Sequence, residues 1–317
     1  MFHTMDVIIP SDGEDGILDG MTIADSLEAA IQQFGDAGIE TPRLEAQVLL
    51  AWVLSCRRED LARTPEQAIT DEVAGAFMNA VTRRAGREPL PYITGERWFF
   101  GRRFRVTDAV LIPRPETEML VSLALETIAG TQSPTVLEAG VGSGCISVTL
   151  AAERADLRAF GTDISPAALA VARENAESNA VQDRCEFIAG DLLTPYMDPA
   201  RKTYADLVVA NPPYVSLSDM NALQPEVRDY EPRVALVGSS TSAAETVTGA
   251  DGVGLYREIF EQANQVLKPG SSVLVEIGMG QCDAVIGIAR AAGLVDVASH
   301  LDMSGIPRVV SGKKGYN

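Results

Sequence analysis

The segment Asn211-Pro212-Pro213-Tyr214 carries the most constrained chemistry in this chain. Two consecutive prolines set two φ angles and remove two N–H donors, so the backbone there offers only carbonyl oxygens. Asn211 adds a side-chain carbonyl acceptor, and Tyr214 adds an aromatic face. Such a corner suits a planar NH2 group, on a carboxamide or a nucleobase. An amide nitrogen is a poor nucleophile because its lone pair is delocalised. Acceptors that grip its hydrogens return density to nitrogen and aim the lone pair. Holding that nitrogen about 3–3.5 Å from an electrophilic carbon removes much of the entropic barrier, and no strong base is needed. The plainer alternative is a rigid turn after a strand, since prolines are common in loops.

A second cluster reads Glu138-Ala139-Gly140-Val141-Gly142-Ser143-Gly144. Glycines allow a tight strand-to-helix turn and a close ligand approach. The loop is not a dinucleotide fingerprint, because Cys145 stands where G-x-G-x-x-G needs its third glycine. It is not a P-loop either, since it lacks the Gly-Lys-Ser/Thr ending. Glu138 beside it would repel a pyrophosphate, so the ligand is cationic or neutral where it meets the loop. Asp163 ends the next strand, where an acid grips ribose hydroxyls in nucleotide folds, and Asp191 ends the strand after that. Successive strand ends of this kind match a ligand with an amino-acid head, a ribose and an adenine. S-adenosyl-L-methionine is such a ligand, with a positive sulfonium and ammonium. The alternative is a simple turn, with Asp163 only capping a helix.

These residues need a scaffold of strands whose carboxyl ends meet. From Thr135 onward, short apolar strands alternate with helices, which predicts an α/β, Rossmann-like, mainly parallel sheet with helices on both faces. Upstream, Thr22 with Asp25 predicts a capped helix through Ile23, Leu27, Ile31 and Phe34. Pro42 starts another, with Leu44, Val48, Ala51 and Trp52 as its apolar stripe, and a third runs from about Thr70 through Phe77 and Val81. Pro89, Pro91 and Gly95 interrupt helices, and Trp98 to Val106 flank Gly101-Arg102 as a hairpin. The expected division is an acidic arm over 1–20, a helical domain over 21–88, a linker with the hairpin over 89–115, and the α/β domain over 116–317. Residues Ser239 to Ala250, rich in Ser, Thr and Ala, are expected to form a surface loop.

The balance of the chain narrows the partners. With 26 Lys+Arg against 44 Asp+Glu in 317 residues, the formal net charge is −18. That opposes the phosphate neutralisation on which nucleic-acid binding depends, and suits a basic protein partner. One locally basic stretch, Arg83 to Arg105, is read as a solvated helix end and hairpin. The four cysteines (Cys56, Cys145, Cys185, Cys282) lie far apart, as expected of reduced thiols in a cytosol. With His3 and His300 the only histidines, no metal site is expected. No apolar run reaches membrane-spanning length, and the start lacks the positive charge of a signal peptide.

Together the motifs resemble the HemK/PrmC family of release factor glutamine methyltransferases, protein-(glutamine-N5) methyltransferases. The likeness extends from about Thr22 through Pro89-Leu90-Pro91-Tyr92-Ile93-Thr94-Gly95 and Leu111-Ile112-Pro113-Arg114-Pro115-Glu116-Thr117-Glu118, then the glycine loop, Asn211 to Tyr214, and Glu226 to Pro232. The resemblance implies a helical domain that holds the substrate, a hairpin linker and a class I methyltransferase domain. It implies methyl transfer from S-adenosyl-L-methionine, leaving S-adenosyl-L-homocysteine, to the glutamine of a Gly-Gly-Gln motif in a class 1 peptide-chain release factor. It further implies that Glu138, Gly140, Val141, Gly142, Ser143, Gly144, Asp163, Ile164, Asp191, Leu192 and Asn211 bind the cofactor. Asn211, Pro212, Pro213 and Tyr214 would bind the substrate amide, with Asn211, Pro212 and Tyr214 catalytic. The family often has Asp at the position of Glu138 and Thr at that of Val141; the longer acid can still reach the cofactor's amino group. A cytoplasmic monomer without membrane or direct nucleic-acid contact is expected. Three alternatives stay open: an adenine-N6 nucleic-acid methyltransferase, a glutamine methyltransferase acting on a ribosomal protein, and a docking module that keeps the cofactor for stability.

Overall fold

The computed structural model describes residues 20–201, 203–237 and 252–316. The acidic arm up to residue 19 and the Ser239–Ala250 segment lie outside these residues. The chain divides into two compact units, residues 1–90 and 91–317. Among the described residues no helix is long and apolar enough to cross a membrane.

The smaller unit is helical. Its first helix, Ile23–Asp36, opens on the expected capping box: Thr22 accepts from Asp25 N at 3.1 Å while the Asp25 carboxylate accepts from Thr22 N at 3.2 Å. Helices Pro42–Val53 and Asp71–Ala85 follow, with a short helix at Arg58–Leu61 that the apolar spacing did not reveal. Phe34, Leu49, Leu50, Phe77 and Val81 form the buried centre. The stripe expected on Pro42–Val53 is corrected here. Leu44 and Trp52 are 43% and 42% exposed, and Ala46, Leu49 and Leu50 face inward instead. The two stripes differ by a rotation of the helix, which apolar spacing alone cannot fix when both faces carry large residues. Between these helices Arg84 Nε donates to Glu45 Oε2 at 2.5 Å, both side chains nearly buried.

The larger unit begins with a hairpin, β1 (Glu96–Phe99) and β2 (Arg102–Arg105), joined at Phe100 and Gly101. Both turn residues have positive φ (49° and 70°), the tight turn that matches strand twist. The boundary between the two units falls at Leu90, within residues 89–115, and the hairpin packs into the larger unit. Phe99 and Phe104 bury their rings edge to face in its core, and Arg105 N donates to Asn175 Oδ1 at 2.7 Å. A short helix, Leu90–Thr94, accommodates Pro91, which was expected to break it; proline is tolerated in a first turn because its missing N–H has no helical partner there.

Among the described residues, seven further strands form one sheet: β3 (Thr135–Ala139), β4 (Arg158–Asp163), β5 (Cys185–Ala189), β6 (Ala205–Ala210), β7 (Leu267–Glu276), β8 (Val295–Leu301) and β9 (Pro307–Lys313). Their order is β5-β4-β3-β6-β7-β9-β8, parallel except where β9 pairs antiparallel with β7 and β8. Alternate residues serve the two faces. Val136, Leu207, Val209 and Leu274 face a core closed by helices Thr117–Thr127, Cys145–Glu153 and Pro166–Ser178. Leu137, Val208, Ala210, Val273 and Val275 face the other, closed by Gly254–Val266 and Cys282–Ala291. Burial on both faces explains why these strands read as continuous apolar runs. The order reverses between β3 and β6, which opens a crevice beyond their carboxyl ends.

Candidate active site

A cavity occupies that crevice. Its walls include Glu138, Gly140, Val141, Gly142 and Ser143 after β3, and Asp163 and Ile164 at the end of β4. Asp191 and Leu192 after β5, and Asn211 and Pro213 after β6, complete it. Residues from four separate strand ends thus converge, as the parallel register requires.

The glycine loop is shaped by three positive φ angles, 77° at Gly140, 53° at Gly142 and 80° at Gly144. A Cβ on Gly140 or Gly142 would meet nothing within 4 Å, so both present open backbone that a ligand can approach. Gly144 does not line the cavity. It caps helix Cys145–Glu153 and sits so close to Ala172 that a Cβ would lie 3.2 Å from that methyl. Val141 lines the cavity but is 3% exposed, its side chain filling the space over Gly161 of β4. Asp163 organises the loop as well as facing the cavity. Its Oδ2 accepts from Gly142 N at 2.8 Å and its Oδ1 from Ser165 N at 2.9 Å. Burial raises its pKa, opposed by these backbone donors.

Glu138 is 1% exposed. Its Oε2 accepts from the backbone N of Ser147 at 3.0 Å and from the Ser147 hydroxyl, at the first turn of the following helix. Burial pushes its pKa up to about 8, against those hydrogen bonds, and neighbouring Asp163 adds to the rise. A buried acid held this way, beside open backbone, fits a ligand that is cationic at that point and rejects a phosphate. The donor set of this cavity therefore fits S-adenosyl-L-methionine, with acids for the ammonium and ribose and apolar walls such as Ile164 and Leu192.

At the Asn-Pro-Pro-Tyr corner, Asn211 Nδ2 donates to Thr117 Oγ1 at 3.1 Å, which turns the amide oxygen away from Thr117. Pro212 is buried, and neither it nor Tyr214 lines the cavity. Tyr214 is clamped from behind. Gln281 Nε2 donates to the Tyr214 carbonyl at 3.0 Å and to that of Gly252 at 3.1 Å. Its ring packs so tightly on Gly278 that a Cβ there would lie 3.0 Å from Cδ2. Burial pushes the Tyr214 phenol up to about 12, so it stays neutral.

The sequence marks the stretch holding Arg114 and Thr117 only through the family resemblance, and marks Glu276 and Gln281 not at all. Thr117 and Arg114 line the cavity from the segment before helix Thr117–Thr127. Arg114 Nη2 donates to Glu231 Oε1 at 2.5 Å, joining two stretches 117 residues apart. Glu276 at the end of β7 is 2% exposed. Gln281 clamps the corner from a loop. The stretches around Arg114 and Glu231 both belong to the family likeness, yet their pairing depends on tertiary contact alone.

Comparison with known proteins agrees with this architecture. A family model described as the PrmC N-terminal domain matches residues 25–95, and one described as the methyltransferase small domain matches residues 116–225. The chain is 42% identical to the release factor glutamine methyltransferase of Cereibacter sphaeroides, over 92% of this chain and 99% of that protein. It is 40% identical to the protein of the same name from Geobacter sulfurreducens, over 93% of this chain and 97% of that one. The Moorella thermoacetica protein of that name is also 40% identical, over 86% and 91% respectively. Identity at this level over nearly the whole of both chains establishes kinship: the chain belongs to the release factor glutamine methyltransferase family and has the class I methyltransferase fold.

Proposed function

We propose that this protein methylates the side-chain amide nitrogen of the glutamine in the Gly-Gly-Gln motif of a class 1 peptide-chain release factor. The observation that carries the reading is the orientation of Asn211. With its Nδ2 engaged by Thr117, its oxygen is left to accept from an incoming NH2 group. The chemistry that S-adenosyl-L-methionine supplies here is an electrophilic methyl on a cationic sulfur, with S-adenosyl-L-homocysteine as the neutral leaving thioether. Glu138, Asp163, Asp191, Ile164, Leu192 and the open backbone of Gly140 and Gly142 hold it. Asn211 Oδ1 accepts one amide hydrogen of the substrate, and the Pro212 carbonyl and Tyr214, set back from the cavity wall, supply the second acceptor and a flat neutral face once the glutamine is seated. Acceptors alone suffice, so no side chain need take a proton before the new N–C bond forms. The proton lost from nitrogen afterwards passes to water. The helical unit, 21–88, holds the release factor, and the enzyme works as a cytoplasmic monomer.

The nucleic-acid alternative needs free cations, and the basic stretch is largely spent within each unit. Arg84 pairs with Glu45, Arg83 with Glu88, Arg102 with Glu153, Arg103 with Glu96 and Arg105 with Glu174. The test is mass spectrometry of a purified release factor incubated with enzyme and cofactor, beside ribosomal protein and duplex DNA. A gain of one methylene on the Gly-Gly-Gln peptide is expected. Transfer only to either of the other substrates overturns the reading. Asn211→Ala should keep cofactor affinity while kcat falls about 10²–10³-fold, as for loss of one aimed polar group. Unchanged turnover would show that the corner is not the site.

A further inference from the structure

Glu276 is buried, charged in principle and not used by the mechanism above. It ends β7 beside β6, in a register that pairs Ala210 with Val275, so the next residues, Asn211 and Glu276, run side by side. Both fall on the sheet face that helix Thr117–Thr127 covers. Thr117, itself 2% exposed, lies beside the Glu276 carboxyl and favours its ionised form, and Thr117 Oγ1 accepts from Asn211 Nδ2 at 3.1 Å. Among the described residues, the carboxyl oxygen Oε2 of Glu276 is buried and has no hydrogen-bond partner. Buried polar atoms are normally satisfied, so this group has no evident fold-building role that would explain its cost.

The chemistry of the three groups gives it one. A hydroxyl has one proton and two lone pairs, whereas an Asn amide can present either its oxygen or its NH2 to a neighbour. Facing a hydroxyl alone, the two orientations of Asn211 are nearly equivalent. A carboxylate is acceptor-only and takes the Thr117 proton. The Thr117 oxygen can then only accept from Asn211, so NH2 must face Thr117 and the oxygen must face the cavity.

We infer that Glu276 is a positioning residue which, through Thr117, locks the Asn211 amide with its oxygen toward the substrate nitrogen. The inference rests on the reading of Asn211 as the acceptor for the substrate amide. When Glu276 carries a proton, or is replaced by Gln, the side chain can donate to Thr117 instead. The Thr117 proton then turns to Asn211 Oδ1, the amide reverses, and NH2 meets NH2 in the cavity.

Burial pushes the Glu276 pKa up to about 7, with Thr117 easing ionisation, Glu116 opposing it, and Arg308 and Arg114 favouring it. Tyr214, Tyr256 and Cys145 feel the charge of this carboxyl, and burial raises all three, so they stay neutral near that pH. The lock therefore holds above about pH 7 and fails as pH drops through that value.

The experiment measures kcat at saturating cofactor and release factor across pH for the wild type, Asn211→Ala, Glu276→Gln, Thr117→Val, Thr117→Ser and the Glu276→Gln/Thr117→Val double variant. Glu276→Gln is expected to fold with an undiminished Tm and unchanged cofactor affinity, because it removes a buried acid. Its kcat should fall by up to about 100-fold, the cost of a misplaced group, and lose the acid limb of the wild-type profile. Thr117→Val should fall likewise, Thr117→Ser should recover turnover relative to it, and the double variant should be no worse than Thr117→Val alone. Losses that multiply in the double variant, or a Glu276→Gln enzyme with wild-type kcat and acid limb, overturn the lock. If Asn211→Ala also turns over normally, the failure lies in the assignment of the corner itself; if only that variant is impaired, the failure belongs to Glu276.

Discussion

A carboxyl that loses its water keeps its proton, and Glu138 is such a group. Its pKa of about 8 comes first from burial, against hydrogen bonds from Ser147. A cationic cofactor group placed beside it favours the ionised form, so binding near pH 7 should expel a proton. The sign follows directly: affinity for S-adenosyl-L-methionine rises with pH until about 8 and levels off above it. Calorimetry in two buffers of different ionisation enthalpy measures the released proton. A binding heat independent of buffer near pH 7 would remove Glu138 from the cation's neighbourhood. Glu138→Gln should abolish the proton release while Ser147 still finds an acceptor. This dependence lies in affinity, whereas that of Glu276 lies in turnover at saturation, so the two carboxyls can be told apart.

At the scale of elements, the glycine loop keeps its shape because β4 has a gap where Val141 sits. A Cβ at Gly161 would stand 2.3 Å from Val141 Cγ2 and 3.3 Å from Phe187 Cδ1. Gly161→Ala must therefore lift the loop or spread β4 from its neighbours. Overpacking of this kind costs about 1–3 kcal/mol, and here it also displaces Gly140 and Gly142. Both a lower Tm and weaker cofactor binding are expected. A variant with wild-type cofactor affinity would show that the loop and β4 move independently. The hairpin β1–β2 illustrates the same principle at a second place. Its Phe99 and Phe104 are core residues, and Phe100 N donates to Glu118 Oε1 at 2.8 Å, so it is anchored as part of the sheet-bearing unit.

Across the whole molecule, two cores carry two tasks. The smaller unit contains the nearly buried Arg84–Glu45 pair, and the larger contains the cavity. Removing one partner of a buried pair is far costlier than never having had it. Glu45→Ala should destabilise the 1–90 unit by about 3 kcal/mol, leaving cofactor affinity unchanged. Cofactor at a hundred times its Kd should in turn stabilise the 91–317 unit by about 2.7 kcal/mol. Differential scanning calorimetry of wild type and variant, with and without cofactor, checks both. Loss of cofactor affinity in Glu45→Ala would show that the units are energetically one.

The sequence by itself determined the principal strands and helices and the chemical types at the site. Apolar runs, Pro42 and Thr22 with Asp25 mark strands and helix starts through local backbone preferences, which need no distant partner. The glycine loop, the strand-end acids and Asn211-Pro212-Pro213-Tyr214 were legible for the same reason, since each is a short run whose chemistry is intrinsic. What faces what was not legible. The choice of Leu49 and Leu50 over Leu44 and Trp52 as the buried face depends on which neighbours arrive, and the hairpin's membership in the larger unit depends on where its two phenylalanines find a core. Thr117, Asn211 and Glu276 lie on three separate elements, and nothing in their spacing along the chain relates them. Only the parallel register of β6 and β7, with a helix laid across that face, brings a hydroxyl, an amide and a buried acid together, because hydrogen bonds among side chains are set by positions in space.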